Sequence, residues 1–479
     1  MDAQRGIARR MVIGLPPEGL TPAWEKDFTQ YAPAGVIVFS RDFRGLEDLR
    51  RLTARLRELA RPRRLFIALD EEGGWVSQLA GHMVVPPNAA VLARGATGAE
   101  IESIAGVTAR RLRALGFDWN FAPVADVHSE GDNPVIGPRA WGETPEGVSE
   151  ALAPVLRAFR AAGVASCLKH FPGHGDTRVD SHLALPTCDA DAATLERREL
   201  APFRAHLAAD SVMTAHVVYP ALDPGVPATY SRAVVTGLLR GRLGFTGVCI
   251  TDALEMQGAA AGRTAAESSA AALAAGCDLL LHAHWNEDVR RARLTLADAL
   301  VEGVLDRDAF DASRPRLAAF DAARPAPSAE ELAAPLETLT PAGWEAGLEA
   351  IVERALRIDG ALPAAAAAGA WAVDEPAFAH GRPLAEELAA QGLAVGGAAP
   401  ALQLLAVCSR VPLAAEKIAA LRTRCAERPT VLVGLQNDAF LARVPEAALR
   451  LSASDATPLT RRVVVRRLVA LAREAAARA

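Results

Sequence analysis

The sequence predicts an α/β protein. A (β/α)8 TIM-type barrel is expected over residues 1–322, a linker region over 323–345, and a smaller α/β sandwich-like domain over 346–479. Three observations carry this reading. Eight short apolar or β-branched runs alternate with longer stretches patterned at helical spacing through the first two-thirds of the chain. Such alternation builds a parallel sheet, and eight units in about 300 residues favour a closed barrel over an open sheet. Charged and imidazole side chains gather at the same end of these runs, where a parallel barrel carries its active site.

The runs are 8–15, 35–39, 65–69, 119–124, 165–168, 211–214, 248–251 and 278–281. Between them, 46–60, 97–115, 145–162, 193–209, 259–276 and 286–300 carry Ala, Leu, Arg and Glu at helical spacing. From Ala323 the composition shifts, and Pro325, Pro327 and Pro335 punctuate an Ala/Glu-rich stretch. Strands are then expected at 403–407, 430–434 and 448–452, with helices at 413–425 and 460–476. This last part holds one histidine, His380, and no dense polar cluster, so the chemistry is expected in the barrel.

Composition removes several function classes. The 52 basic and 57 acidic residues give a formal net charge of −5, which argues against a nucleic-acid partner held by phosphate neutralisation. No GxGxxG or GxxxxGK[ST] follows any of the strands, and no cofactor is expected. The six cysteines form no CxxC pair and read as small buried residues in a reducing compartment. Residues 1–15 lack the apolar stretch and cleavage site of a secretory leader. The charge-free stretch 388–409 is interrupted by Gln391, Gly396, Gly397, Pro400 and Gln403, so it reads as turn plus strand. A cytoplasmic protein with no membrane partner is therefore expected.

Six runs lead into a candidate functional residue: Asp70, Asp126, Lys169 with His170, His216, Asp252 and His282. Asp252, in GVCITDALEM, reads either as a nucleophilic carboxylate at the barrel mouth or as a cap for the amides of 254–256. The segment KHFPGHGDTRVDSHLALP, residues 169–186, is the densest in chemistry. Its HxxxH lies in a Gly/Pro-containing loop, which does not set both rings on one helical face, and no metal is expected. Asp180 stands two residues before His182, so it can orient the ring and raise its proton affinity, or it can form an Asx turn beside an incidental histidine.

These segments together resemble glycoside hydrolase family 3, and within it the bacterial β-N-acetylhexosaminidases that act on cell-wall fragments. The resemblance runs over about residues 5–320, through GVIVFSRDF, ALDEEGGWVSQL, NFAPVADV, NPVIGPRAWGE, the KHFPGHGDT…DSH loop, MTAHVVYP and GFTGVCITDALEM. After about residue 340 it is a loose likeness to the small α/β domain that some members carry. It implies that Asp252 is the nucleophile, His182 the general acid/base and Asp180 its partner. It implies that Asp70, Arg139, Lys169 and His170 hold the sugar hydroxyls. The implied reaction is retaining hydrolysis of terminal β-linked N-acetylglucosamine from muropeptide or chitooligosaccharide fragments, through a glycosyl-Asp intermediate, in peptidoglycan recycling. The implied partner is a small carbohydrate. Phosphorolysis and a broader β-glycosidase activity are the alternatives in the same family.

The chain departs from the family pattern at one place. The family commonly reads GGRVQR where this chain reads GGWVSQ, so Trp75 and Gln78 stand where two arginines are usual. The position of Gln78 usually helps bind the sugar. The lost charge implies a weaker dependence on an acidic aglycone.

Overall fold

The computed structural model describes residues 2–180, 184–260, 262–364, 369–397 and 400–478. The chain divides into two compact units. The first comprises Met1–Glu72, Ile101–Ser129 and Gly142–Pro341; the second comprises Gly73–Glu100, Glu130–Trp141 and Ala342–Ala479.

The first unit contains eight parallel strands: β1 (Met11–Ile13), β2 (Gly35–Ile37), β3 (Phe66–Leu69), β4 (Trp119–Asn120), β5 (Cys167–Phe171), β6 (Ser211–Thr214), β7 (Val248–Thr251) and β8 (Leu280–His282). They pair in two sheets, β4-β3-β2-β1-β8 and β5-β6-β7. Isolated parallel bridges, Trp119 to Ala165 and Ile250 to Leu279, join the two sheets and close the ring. Every strand of the sequence reading is present, because each is buried on both faces and so reads as an unbroken apolar run.

The barrel interior is apolar at its amino end. Trp119 is fully buried, donates from Nε1 to Ser211 Oγ at 3.0 Å and meets Phe121 edge-on at 4.8 Å. Phe320, from the helix Arg314–Ala323, packs on Phe66 and Trp119 with centroids 4.6 and 5.0 Å away. Both partners begin their strands, so Phe320 plugs that end. Here the acidic residues are clasped by arginines. Asp118 pairs with Arg57 and Arg64 at 2.7 and 2.8 Å, and Asp278 with Arg240 and Arg316, each at 2.6 Å. Several helices begin on side-chain caps: Thr144 before Pro145, Asn286, and a Thr264–Glu267 capping box.

The second unit is built on a five-stranded sheet: β9 (Arg357–Gly360), β10 (Trp371–Asp374), β11 (Leu402–Ser409), β12 (Thr430–Gln436) and β13 (Leu449–Ser452). Its order is β10-β11-β12-β13-β9, parallel except for the edge strand β9. Alternate residues face opposite layers. Leu404, Val433 and Leu451 pack with Leu384, Leu388, Val465 and Leu468, from the helices Leu384–Ala390 and Pro458–Ala476. Leu405 and Leu432 pack with Ile418 and Cys425 from the helix Ala415–Glu427. The unit is thus a helix–sheet–helix sandwich. Within it, Asn88 links two distant segments: its N donates to Asp455 Oδ1 at 3.2 Å and its Nδ2 to the Ser454 carbonyl at 2.9 Å.

Candidate active site

The carboxyl ends of β3 to β7 supply the site in the first unit. Asp252 follows β7. Its amide donates to the Thr214 carbonyl at 3.3 Å, and the next turn is fixed by Leu254 N to the Leu281 carbonyl at 3.0 Å. Its Oδ1 accepts from Ala253 N at 2.7 Å. The capping alternative is not what the structure contains, since Leu254 N goes to Leu281 and Met256 N to Ala253. Oδ2 of Asp252 has no hydrogen-bond partner among the described residues. Burial pushes this carboxyl up, but His170, His216, the Ala253 amide and Lys169 together hold it below its usual value.

Lys169 and His170 lie within β5, at a bulge between Leu168 and Phe171. The buried Lys169 ammonium lies 2.6 Å from both Asp70 Oδ1 and Glu72 Oε1. His170 is gripped twice by the fully buried Asp126: Oδ1 accepts its backbone amide at 3.0 Å and Oδ2 meets ring Nδ1 at 2.7 Å. An ionised carboxylate can only accept, so Nδ1 carries a proton and Nε2 is left for another partner. Burial raises the Asp126 carboxyl, but contacts with His170 and His174 bring it below its usual value. The His174 amide also donates to Asp126 Oδ1, at 2.7 Å, which starts the following loop. That loop needs glycine at 175, where a Cβ would stand 1.7 Å from the Val127 carbonyl oxygen.

His216 is a buried neutral ring. Burial lowers its proton affinity. Its Nε2 donates to the Ala253 carbonyl at 3.0 Å, so Nδ1 accepts from Thr229 Oγ1 at 2.8 Å. This brace fixes the residue next to Asp252. His282 takes no part at the mouth. Its ring bonds Ser269 Oγ at 3.1 Å, on the helix Ala265–Ala275, and burial lowers its pKa to about 4.

Of the residues singled out in the sequence, Asp70 and Asp252 directly follow strands and Lys169 and His170 lie inside β5, which runs past the expected end at 168; all four belong to the first unit. Asp180 is half-buried in the loop after β5, with its carbonyl accepting from Ala184 N at 3.0 Å. His182 lies outside the described residues. Gln78 and Arg139 belong to the second unit, where Arg139 Nη1 donates to the Val135 carbonyl at 3.1 Å. Two carboxylates gain a task that the sequence did not reveal: Glu72, which shares Lys169 with Asp70, and Asp126, which orients His170. The signal for Asp126 was only an acidic residue closing an apolar run, and Glu72, three residues past β3, carried none.

One cluster in the first unit offers metal-ligand atoms within 4.8 Å of one another: Asp176, Cys188 and Glu199. Arg198 already spans it, with Nη2 at 2.5 Å from Asp176 Oδ2 and 2.6 Å from Glu199 Oε1. Burial raises the Cys188 thiol to about 12, far from the thiolate that a metal takes. The chemistry of the cluster fits a guanidinium, and Arg198 occupies it. Among the described residues, no helix is long and apolar enough to cross a membrane.

The mouth of the first unit therefore presents an ionised carboxylate with an open oxygen, a lysine shared by two carboxylates and an oriented imidazole. Such a set can hold hydroxyls and attack an electrophilic carbon. The family model described as glycosyl hydrolase family 3 N terminal domain matches residues 20–320. A β-hexosaminidase from Chromobacterium violaceum is 38% identical over 305 residues, which is 62% of this chain and 84% of that protein. The structure of a glycoside hydrolase family 3 β-N-acetylglucosaminidase from Paenibacillus sp. str. FPU-7 is similar at a TM-score of 0.85 and 28% identity, covering 98% of this chain and 96% of its own. A β-glucoside phosphorylase, at 19% identity and a TM-score of 0.82, covering 98% of this chain and 92% of its own, shares the fold.

Proposed function

We propose a reaction on one premise: the chain belongs to glycosyl hydrolase family 3. It is a glycoside hydrolase. Our reading is a retaining exo-glycosidase that releases terminal β-linked N-acetylglucosamine from muropeptide or chitooligosaccharide fragments, in the cytoplasm and in peptidoglycan recycling. The names of the relatives support the sugar. The observation that carries the mechanism is Asp252: ionised, held by one oxygen to Ala253 N, with Oδ2 open.

In this reading Asp252 Oδ2 attacks the anomeric carbon and forms a glycosyl ester. His182, oriented by Asp180, protonates the departing oxygen. The neutral imidazole then takes a proton from water, which cleaves the ester and restores Asp252. Asp70, Lys169 and His170 hold the sugar, and the same role for Arg139 and Gln78, of the second unit, rests on the resemblance alone. Glu72 and Asp126 act through Lys169 and His170 as positioning residues. The catalytic barrel is assigned to 1–322, the linker region to 323–345 and the small domain to 346–479.

The test is a panel of p-nitrophenyl β-glycosides, each with and without phosphate, followed by identification of the sugar product. Release of free N-acetylglucosamine, from that glycoside above the others and without need of phosphate, is the expected result. A phosphate requirement with a sugar 1-phosphate product identifies a phosphorylase instead. Turnover of glucosides above N-acetylglucosaminides identifies a broader β-glycosidase.

A further inference from the structure

The loop after β5, residues 172–188, carries Asp180 and is tied down at both ends within the first unit. At its start, the His174 amide goes to Asp126 at 2.7 Å, and the buried Tyr219 hydroxyl donates to the Gly173 carbonyl at 2.5 Å. At its end, Cys188 N donates to the Val218 carbonyl and Val218 N to the Pro186 carbonyl, each at 2.9 Å. Between these ends, Val179 and Leu185 are exposed, so neither side chain anchors the loop by burial.

Asp176 lies in that interval, four residues before Asp180, and Arg198 grips it. Arg198 Nη2 stands 2.5 Å from Asp176 Oδ2. The same guanidinium is pinned by Glu199: Nε donates to Oε1 and Oε2 at 2.8 and 2.7 Å, and Nη2 lies 2.6 Å from Oε1. Arg198 and Glu199 join the helices Ala192–Arg197 and Leu200–Ala205, and Arg198 N closes the first on the Thr194 carbonyl at 2.9 Å. Glu199 is 1% exposed and lies directly against the loop: a Cβ on Gly173, whose φ is +136°, would stand 2.7 Å from Glu199 Cβ.

A continuous line of contacts therefore runs from the helix pair through Arg198 to the limb that leads to Asp180. A guanidinium is planar and holds its partners in fixed directions, and its bonds to carboxylates are charge-assisted. The Arg198–Asp176 pair is partly buried, with side-chain exposures of 26% and 29%, so solvent ions screen it less than a surface pair. Burial pushes the Glu199 carboxyl up, and a buried carboxylate of this kind requires a cation, which commits Arg198 to its place.

We propose that Arg198 is a positioning residue for proton transfer: held by Glu199, it sets through Asp176 where the loop presents Asp180. The role rests on the reading of Asp180 and His182 as the acid/base pair.

The test is the kinetics of Arg198→Gln on aryl β-glycosides of graded leaving-group ability, made on the sugar that the panel above selects. The ratio kcat/KM reports the step in which the aglycone leaves. It is expected to fall about 10–100-fold for a poor leaving group such as p-methoxyphenyl, and to stay within about threefold for dinitrophenyl, which departs without a proton. Arg198→Lys keeps the charge without the fork and is expected to recover part of the loss. Asp176→Asn breaks the tie from the loop side, leaves Arg198 on Glu199 and is expected to show the same dependence; it decides the case if circular dichroism shows that Arg198→Gln does not fold. Wild-type kinetics, or an equal fall for both leaving groups, overturns the proposal.

Asp180→Ala on the same series separates the two readings. A leaving-group dependence in Asp180→Ala without one in Arg198→Gln refutes the positioning role alone. No such dependence in Asp180→Ala refutes the acid/base reading, and the positioning role falls with it. Where both show it, the double variant is expected to be little slower than Asp180→Ala, since residues that act as a unit are non-additive, and additive losses overturn the proposal.

Discussion

Asp126 grips His170 by two bonds at once, one to the backbone amide at 3.0 Å and one to ring Nδ1 at 2.7 Å. The first fixes where the residue sits, and the second fixes which nitrogen carries the proton. Asp126→Asn keeps the shape but replaces an acceptor-only group with one that also donates. The expected result is a fall in kcat/KM of about 10–100-fold, with protein stability reduced by about 1–3 kcal/mol for the disturbed buried bonds. Steady-state kinetics with a urea titration checks both. Unchanged kinetics would mean that His170 does not need this orientation.

Asp252→Asn removes the attacking oxygen's charge and is expected to lower kcat by several orders of magnitude. A 5-fluoro glycosyl fluoride of N-acetylglucosamine is expected to label Asp252 in the wild type, read by peptide mass spectrometry. A label on another carboxylate reassigns the nucleophile.

The acid limb of kcat/KM follows from the charges around Asp252. Burial raises its carboxyl, but His170, His216, the Ala253 amide and Lys169 prevail, so it stays ionised below the usual carboxylate value of 3.8. His170→Asn removes the first of these opposing influences, and the limb assigned to Asp252 is expected to move to higher pH. A pH–rate profile of both proteins shows the shift or its absence.

Asp180 and His182 are expected to behave as one unit. The double alanine variant should be little slower than the slower single variant, and substrates with good leaving groups should suffer least in the first step. Additive losses that ignore the leaving group would separate their roles.

His282 makes stability depend on pH. Its folded pKa of about 4 lies below the ordinary 6.5, so the unfolded chain binds more protons between those values. Stability then rises with pH through this window and is lost on acidification. Wild type is expected to lose about 2 kcal/mol more unfolding free energy between about pH 7 and pH 5 than His282→Gln. Denaturant titrations at the two pH values measure the difference.

The strands of the barrel were legible because burial on two faces writes itself as an apolar run, as in 248–251 and 211–214. In the second unit, β9 escaped because Arg357–Gly360 is a mostly exposed edge with no apolar signature, and β10 because Trp371–Asp374 is short and mixed. The position of Asp252 was legible from its place after a strand. The work of Glu72 and Asp126 was not, since each acts on a residue brought near only when β3, β4 and β5 align. His282 also ended a strand, but the alternation of β8 turns Leu281 inward and His282 toward Ser269. The grouping of Gly73–Glu100 with the C-terminal sheet depends on contacts such as Asn88 with Asp455, which leave no local pattern.

The barrel ring is two sheets that meet at isolated bridges, and the bond from Lys169 to Asp70 runs from one sheet to the other. Backbone hydrogen bonds cross the junction of β4 and β5, Asn120 N to the Ala165 carbonyl at 2.9 Å and Ala165 N to the Asp118 carbonyl at 2.8 Å, and amide exchange there reads their opening. In the proposed reaction, a sugar held by Asp70 on one sheet and met by Asp252 on the other is a rivet across that seam. Occupancy is then expected to slow the exchange of the β4 and β5 amides with solvent, read by hydrogen-exchange mass spectrometry with the mouth filled and empty.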